Sequence, residues 1–411
     1  MLLYIDPGTG SMLFTILIGV IGAAIYSLRI FWIKFRFKLS GGKADTGRKK
    51  IPLAIFSDHK RYWSIFEPIC RELDARGVDV VYITCSSDDP ALNCPYPHVK
   101  AQCFGTDNKT FSHLNFLNAT ILLSTTPGLD VYQWKRSKDV QWYVHIPHAA
   151  SEVVLYRMFG LDYYDAVLLS GQYQAEGLRQ LEQLRGLPPK ELVLVGIPYM
   201  DEMAKRLQEA EPLPPHPTTI LLAPSWGESA LFGVYGGRII GLLLETGYHV
   251  IVRPHPQSFD SEKELLEKLM KEYPASEQLE WNRDMDNFQV LRRSDLLISD
   301  FSGVIFDFAL VHNKPVIYTD PKIDRSMYDA WWMEDPLWTE SALPRLGREL
   351  TQEGMTDLKG LIDACLTNPE GEEKRRQVLE ETWAHFGEGA VRTVDYLLEK
   401  YEELTKTEEE A

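Results

Sequence analysis

Four short stretches of this chain place groups capable of anion binding or proton transfer at the ends of apolar runs. In LLISDFSGVIFDFALVHNKPVIY, residues 296–318, an aliphatic run stops at Asp300, Ser302 and Gly303 and resumes around Asp307. VIVRPHPQS delivers Arg253 and His255, each followed by a proline that stiffens the backbone. ILLAPSWGES ends in Ser225 and Trp226, with Ser229 before the next helical pattern, and YVHIPHAASE supplies His145 and His148. A guanidinium can grip an oxyanion through two parallel hydrogen bonds and an imidazole through one, so Arg253 and His255 are candidate anion ligands. Histidine is also the side chain best suited to moving a proton near neutral pH. His148, beyond Pro147 in the loop, is the candidate base; His145, in the strand, is the candidate structural histidine. Each residue has a plainer use: Asp300 and Ser302 can cap a helix, His-Pro can be a loop, and Trp226 can simply pack.

What raises the site above that plain use is where the elements put it. Strands are expected near 52–57, 79–84, 120–125, 140–146, 166–170 and 192–196, and again near 218–224, 249–254, 295–299 and 315–319. Helical stretches are expected near 63–76, 150–159, 173–185, 230–246, 259–273, 286–293 and 303–312. Such alternation argues for parallel sheets covered by helices on both faces. All four stretches then fall at carboxyl ends of strands, where ligands of such folds bind. Asp300 to Gly303 becomes the turn into a helix whose first N–H groups favour a phosphate, with Gly303 allowing close backbone approach. Four prolines between Pro212 and Pro217 suit neither helix nor central strand, which sets a boundary between a domain of residues 51–211 and one of residues 212–411. The acidic stretch from Glu399 onward is expected to be a frayed, solvated helix.

The 411 residues, 45% hydrophobic, suffice for two such domains and a sizeable core. Pro7 to Leu28 runs without a charge, about the ~20 residues a transmembrane helix needs. Behind it come Arg29, Lys34, Arg36, Lys38, Lys43, Arg48, Lys49 and Lys50, whereas Asp6 alone is charged before it. By the positive-inside rule residues 1–50 are expected to be a single-pass anchor with a basic stalk in the cytoplasmic membrane, and the body cytoplasmic. That stalk has a balance of +6; with −16 for the whole chain, the remaining 361 residues carry −22. An acidic body excludes the usual nucleic-acid binder, since phosphate backbones need a positive surface. Cys70, Cys85, Cys94, Cys103 and Cys365 are odd in number and lack Cys-x-x-Cys spacing, so neither disulfides nor a metal site is expected. Asp284 and Asp286 form an Asp-x-Asp pattern, but Asp286 reads better as a helix cap than as a metal ligand.

Taken together, these segments resemble the CDP-glycerol glycerophosphotransferase family, the teichoic-acid primases and polymerases. LLISDFSGVIFDFALVHNKPVIY is similar to that family's strand, Thr-Asp-Tyr-Ser-Ser turn and Phe-Asp-Phe helix. VIVRPHP resembles its Lys-Leu-His-Pro strand end, ILLAPSW its Tyr-Ala-Pro-Thr-Trp segment, and GIPYMDEM keeps Gly196, Pro198 and Asp201 of a further pattern. The chain departs from the family at Ala149, where a glycine usually follows the histidine, and at Gly303, which replaces a second serine. The resemblance implies a GT-B-like fold, two Rossmann-like domains facing a cleft, preceded here by the transmembrane helix. It implies transfer of glycerol phosphate from CDP-glycerol to an acceptor hydroxyl, with release of CMP and no cofactor. Arg253, His255, Asp300, Ser302, Gly303 and Ser225 would bind the donor, His148 and His255 would be catalytic, and His145 and His148 would lie on the acceptor side. The expected partners are CDP-glycerol or a related nucleotide-diphosphate donor, a lipid-linked acceptor and the membrane, with no nucleic acid. A GT-B glycosyltransferase using a nucleotide sugar and a non-catalytic membrane scaffold are the other readings such a chain allows.

Overall fold

The computed structural model describes Leu28 and residues 50–410 apart from Met285, Phe301, residues 320–324, Asp335 and Pro369. The expected transmembrane run lies, but for Leu28, outside the described residues; among the described residues no helix is long and apolar enough to cross a membrane. Residues 51–411 form one compact unit.

Two wholly parallel sheets make up that unit. The first, in spatial order β3-β2-β1-β4-β5-β6-β7, comprises β1 Ile51–Ser57, β2 Val80–Thr84, β3 Val99–Cys103, β4 Ala119–Ser124, β5 Val140–His145, β6 Ala166–Leu169 and β7 Glu191–Leu194. The second runs β10-β9-β8-β11-β12-β13, from β8 Thr219–Ala223, β9 His249–Val252, β10 Leu279–Trp281, β11 Leu296–Ser299, β12 Val316–Tyr318 and β13 Gly347–Glu349. Central strands are buried on both faces, as parallel sheets require: every residue of β4, β8 and β11 is buried. Helices cover these faces with apolar stripes. Ile65, Ile69 and Leu73 recur every four residues along the helix Trp63–Ala75 and pack with Leu53, Ile55 and Tyr82 of the first sheet.

In each sheet the chain leaves the first strand on one side and later returns on the other, between β1 and β4 and between β8 and β11. The crevice at the carboxyl ends of such a pair is where doubly wound folds bind ligands.

The end of the chain departs from expectation. The helix Gly389–Glu410 follows the second sheet in sequence but packs on the first, burying Val394 and Leu397 in that sheet's core and laying Tyr401 and Leu404 against it. The stretch from Glu399 is therefore a packed helix and not a frayed one, because its apolar residues keep helical spacing through the acids. The helix expected at 150–159 is also absent. A 3-10 turn, Val153–Leu155, stands there, and Phe159 adopts a left-handed φ of 65° that stops any continuation.

Candidate functional site at the junction of the two sheets

Loops from both sheets meet at one junction. The turn after β11 and the loop after β5 touch directly: a Cβ built on Gly303 would lie 3.0 Å from the Ala149 Cβ. Two of the positions at which the chain departs from the family pattern thus face each other, Ala149 from one half and Gly303 from the other.

His148 lies on the first-sheet side. Its ring stacks on Tyr156 at 5.8 Å and lies 5.3 Å from the Tyr62 ring. The Tyr156 hydroxyl stands 3.4 Å from His148 Nδ1 and 3.4 Å from His145 Nε2, joining the two histidines. His145 is fully buried, and burial, followed by the nearby His148, depresses its pKa well below the usual value. His148 is depressed to about 4 by burial first, then by Arg61 and by His255 across the junction.

His255 reaches the junction from the loop after β9. Its Nδ1 accepts the Gln257 amide hydrogen at 3.1 Å, which leaves the ring proton on Nε2, a donor. Burial, then Arg61 and Arg253, lowers its pKa to about 4. Both imidazoles are therefore neutral near pH 7 in the free protein. Arg253 donates to Asn282, and the pull of Asp284 and Asp286 partly offsets the burial that lowers its pKa.

Whereas Gly303 meets the loop after β5, Asp300 turns to the loop after β8. It is fully buried, and its carboxylate accepts the Ser225 amide hydrogen at 3.1 and 3.0 Å and the Leu231 amide hydrogen at 2.9 Å. These bonds cross from β11 to the loop after β8, so Asp300 shapes the segment that carries Ser225 and starts the helix Leu231–Tyr235. Burial raises its pKa against those donors. Ser225 is itself buried, whereas Trp226, expected to pack, is 47% exposed. The N-cap of the helix that opens at Val304 is Gly303, not Ser302, and carries no side-chain cap.

The second acid of the opening motif, Asp307, sits in a π-helical turn, Asp307–Val311, and accepts the Tyr199 hydroxyl hydrogen from the helix Pro198–Glu209. Burial pushes its pKa up to about 6. Asp201 on that same helix accepts from Trp383 Nε1 at 2.8 Å and from the amides of Gly387 and Gly389 at 2.7 and 2.8 Å, capping the C-terminal helix. Glu152 reaches the other half too, its carboxylate accepting the amides of Trp338 and Thr339 at 3.0 and 2.9 Å. Asp286, expected as a helix cap, lies one residue before the N-cap Asn287 and accepts the Phe288 amide at 3.0 Å. Among the described residues no group of His, Cys, Asp or Glu is arranged to hold a metal ion.

One residue escaped the sequence reading. Arg61, on the turn after β1, acts electrostatically on both His148 and His255. Nothing in FSDHKRYW marks it among three adjacent basic residues, except its place at the end of a first strand beside the switch point.

A sequence profile of the family described as CDP-glycerol:poly(glycerophosphate) glycerophosphotransferase matches residues 175–395. No curated protein sequence matches. Among solved structures the chain is similar to the wall teichoic acid polymerase TagF in a structure with CDPG, at 16% identity over 85% of this chain and 89% of that one, with a TM-score of 0.53. It is similar also to a protein described as a UDP-N-acetylglucosamine 2-epimerase from Listeria monocytogenes, at 14% identity over 86% and 98% of the two chains, with a TM-score of 0.55. The UDP-GlcNAc 2-epimerase from Neisseria meningitidis gives 12% identity over 86% and 100%, with a TM-score of 0.53. At these identities the structural likeness shows the fold, a GT-B-like arrangement of two parallel sheets.

Proposed function

The chain belongs to the CDP-glycerol:poly(glycerophosphate) glycerophosphotransferase family, and on that premise we propose that its junction carries glycerol phosphate from CDP-glycerol to the hydroxyl of a lipid-linked or cell-envelope polymer. The observation that carries this reading is the direct contact of the turn that carries Ser302 and Gly303 with the loop that carries His148, where a Gly303 Cβ would lie 3.0 Å from the Ala149 Cβ, with His255 near enough to lower the pKa of His148.

The acceptor oxygen attacks the β-phosphorus of CDP-glycerol. An O–P bond forms, the bond from that phosphorus to the bridging oxygen breaks, CMP leaves with the electron pair, and a phosphodiester remains. Chemistry of this kind asks mainly for positioning and for compensation of negative charge. With the Tyr156 hydroxyl against Nδ1, His148 has Nε2 available to take the acceptor proton. A bound diphosphate raises the pKa of the imidazoles beside it, which strengthens His148 as a base only when donor is present. His255 donates from Nε2 to a phosphate oxygen, with Arg253 behind it, while Ser302 and Gly303 border the donor and Asp300 holds the Ser225 loop in shape. Residues 7–28 serve as the anchor that keeps this body near a lipid-linked acceptor, supported by their uncharged run and the basic residues that follow.

The test is CMP release from CDP-glycerol by the full chain in vesicles carrying a lipid-linked acceptor, with a nucleotide sugar as the competing donor. His148→Ala should lower turnover by about 10²–10⁴-fold while donor binding persists. Equal turnover in the variant removes the base. Release from the sugar nucleotide alone moves the protein to the glycosyltransferases, and removal of residues 1–45 should leave a body that no longer sediments with the vesicles.

A further inference from the structure

Arg61 has a surrounding that the fold alone does not account for. It stands on the 3-10 turn Lys60–Tyr62, and its backbone is pinned because its amide donates to His59 Nδ1 at 3.1 Å. The neighbouring Lys60 pairs with Asp88. Arg61 has no such carboxylate partner among the described residues, and its Nε is buried with no hydrogen-bond acceptor. The guanidinium carbon lies 5.8 Å from the Tyr62 ring, which in turn lies 5.3 Å from the His148 ring. Its charge bears on His148 and on His255 alike, so it stands near the imidazoles of both halves.

A buried donor without an acceptor is costly, and a guanidinium beside two imidazoles adds to the cost of protonating either. Groups kept in such an arrangement are matched to an anion of more than one charge, which supplies acceptors to Arg61 and relieves the mutual penalty of the three. A planar fork of donors also suits a phosphate better than a point charge would.

We infer that Arg61 is a phosphate-binding residue contributed by the first sheet, and that with His255 it contacts the phosphoryl group undergoing transfer, beside the His148 base. Which phosphate this is rests on the proposed function; that Arg61 and His255 bind a polyvalent phosphate does not. Arg61 then compensates the charge on the β-phosphate oxygens while the acceptor oxygen adds and CMP departs.

The experiment compares the full chain with Arg61→Gln and Arg61→Lys, using pyrophosphate as the probe and calorimetry to measure its affinity. Wild type should bind, Arg61→Gln should bind roughly ten- to a hundredfold more weakly, and Arg61→Lys should fall between. Imidazole signals followed by NMR supply a readout that a structural role would not move: in Arg61→Gln the titrations of His148 and His255 should shift to higher pH. The groups facing them, Tyr62, Tyr156, His145 and Arg253, stay unchanged in the variant. With CDP-glycerol, kcat should drop on the order of 10²–10³-fold in Arg61→Gln, with partial recovery in Arg61→Lys. Failure of wild type to bind pyrophosphate, or undiminished affinity in Arg61→Gln, overturns the inference. If Arg61→Gln does not fold, Arg61→Lys decides alone: unaltered affinity and kcat overturn it, a loss in both supports it. Pyrophosphate binding that depends on Arg61 without CMP release from CDP-glycerol defeats the donor assignment and leaves Arg61 in place.

Discussion

Replacing Asp300 by alanine decides whether this carboxylate serves the ligand, as its place in the sequence suggests, or the loop that its bonds hold. It accepts the Ser225 amide through both oxygens, at 3.1 and 3.0 Å, and the Leu231 amide at 2.9 Å. Without it two amides are left unpaired in the interior, and each abandoned donor costs about 1–3 kcal/mol. Removing a charge that burial already disfavours returns part of that sum, so the expected net loss in Asp300→Ala is about 2–4 kcal/mol. Asp300→Asn keeps one oxygen for one amide but turns its own NH₂ toward the other, and should lose about 1–2 kcal/mol. Urea unfolding followed by tryptophan fluorescence measures both, with His255→Ala, which should unfold much like wild type, as the comparison. Donor affinity should fall in the Asp300 variants together with stability, because the Ser225 loop loses its shape. An Asp300→Ala protein of wild-type stability that no longer binds CDP-glycerol would refute this reasoning and return the carboxylate to the donor.

Asp201→Ala removes the acceptor for Trp383 and for two amides at the start of the C-terminal helix, and should cost about 2–4 kcal/mol, with early protease cleavage near Gly387 as the visible sign. Acidification should also destabilise the protein. His148, His255 and His312 are depressed to about 4. Below their ordinary 6.5 the unfolded chain binds protons that the folded one does not, so stability is full above that point and is lost as pH falls toward 4. Asp307, raised to about 6, works in the opposite sense over much of the same window. The net expectation is a loss of about 2–4 kcal/mol between about pH 7 and about pH 5, smaller in His148→Gln; equal unfolding curves at the two pH values would contradict it.

The strands legible in the sequence are the interior ones and the edge strand β7, whose ELVL is largely aliphatic. All ten expected strands are present, and the three that were not anticipated, β3, β10 and β13, are all sheet edges. VKAQC alternates buried and exposed residues, LEW is three residues long, and GRE is almost wholly polar, so none offers the apolar run that marks an interior strand. The site divides the same way. His148 and His255 could be read because a strand end announces them. Asp300 could be placed but not given its partners, since its bonds run to residues 69 to 75 positions away. Arg61 could not be found, because what distinguishes it is the lack of an acidic partner, which only the folded arrangement reveals. The failed helix at 150–159 has a related cause: within that stretch Glu152 turns its carboxylate to the amides of Trp338 and Thr339, nearly two hundred residues away.

The return of the last helix to the first sheet has a consequence for how the chain is made. Gly171 and Gly196 admit the carbonyls of Glu381 and Ala384 at 2.3 Å from where a Cβ would stand, so the strand ends of β6 and β7 are shaped around a segment synthesised some two hundred residues later. During translation the first sheet emerges early but lacks the cover supplied by Val394 and Leu397 until the helix Gly389–Glu410 has left the ribosome. The half born first is thus the half completed last, and until then it exposes apolar surface of the kind chaperones bind. A premature stop after the second sheet would spare every strand and still leave the protein unfinished at the end where it began.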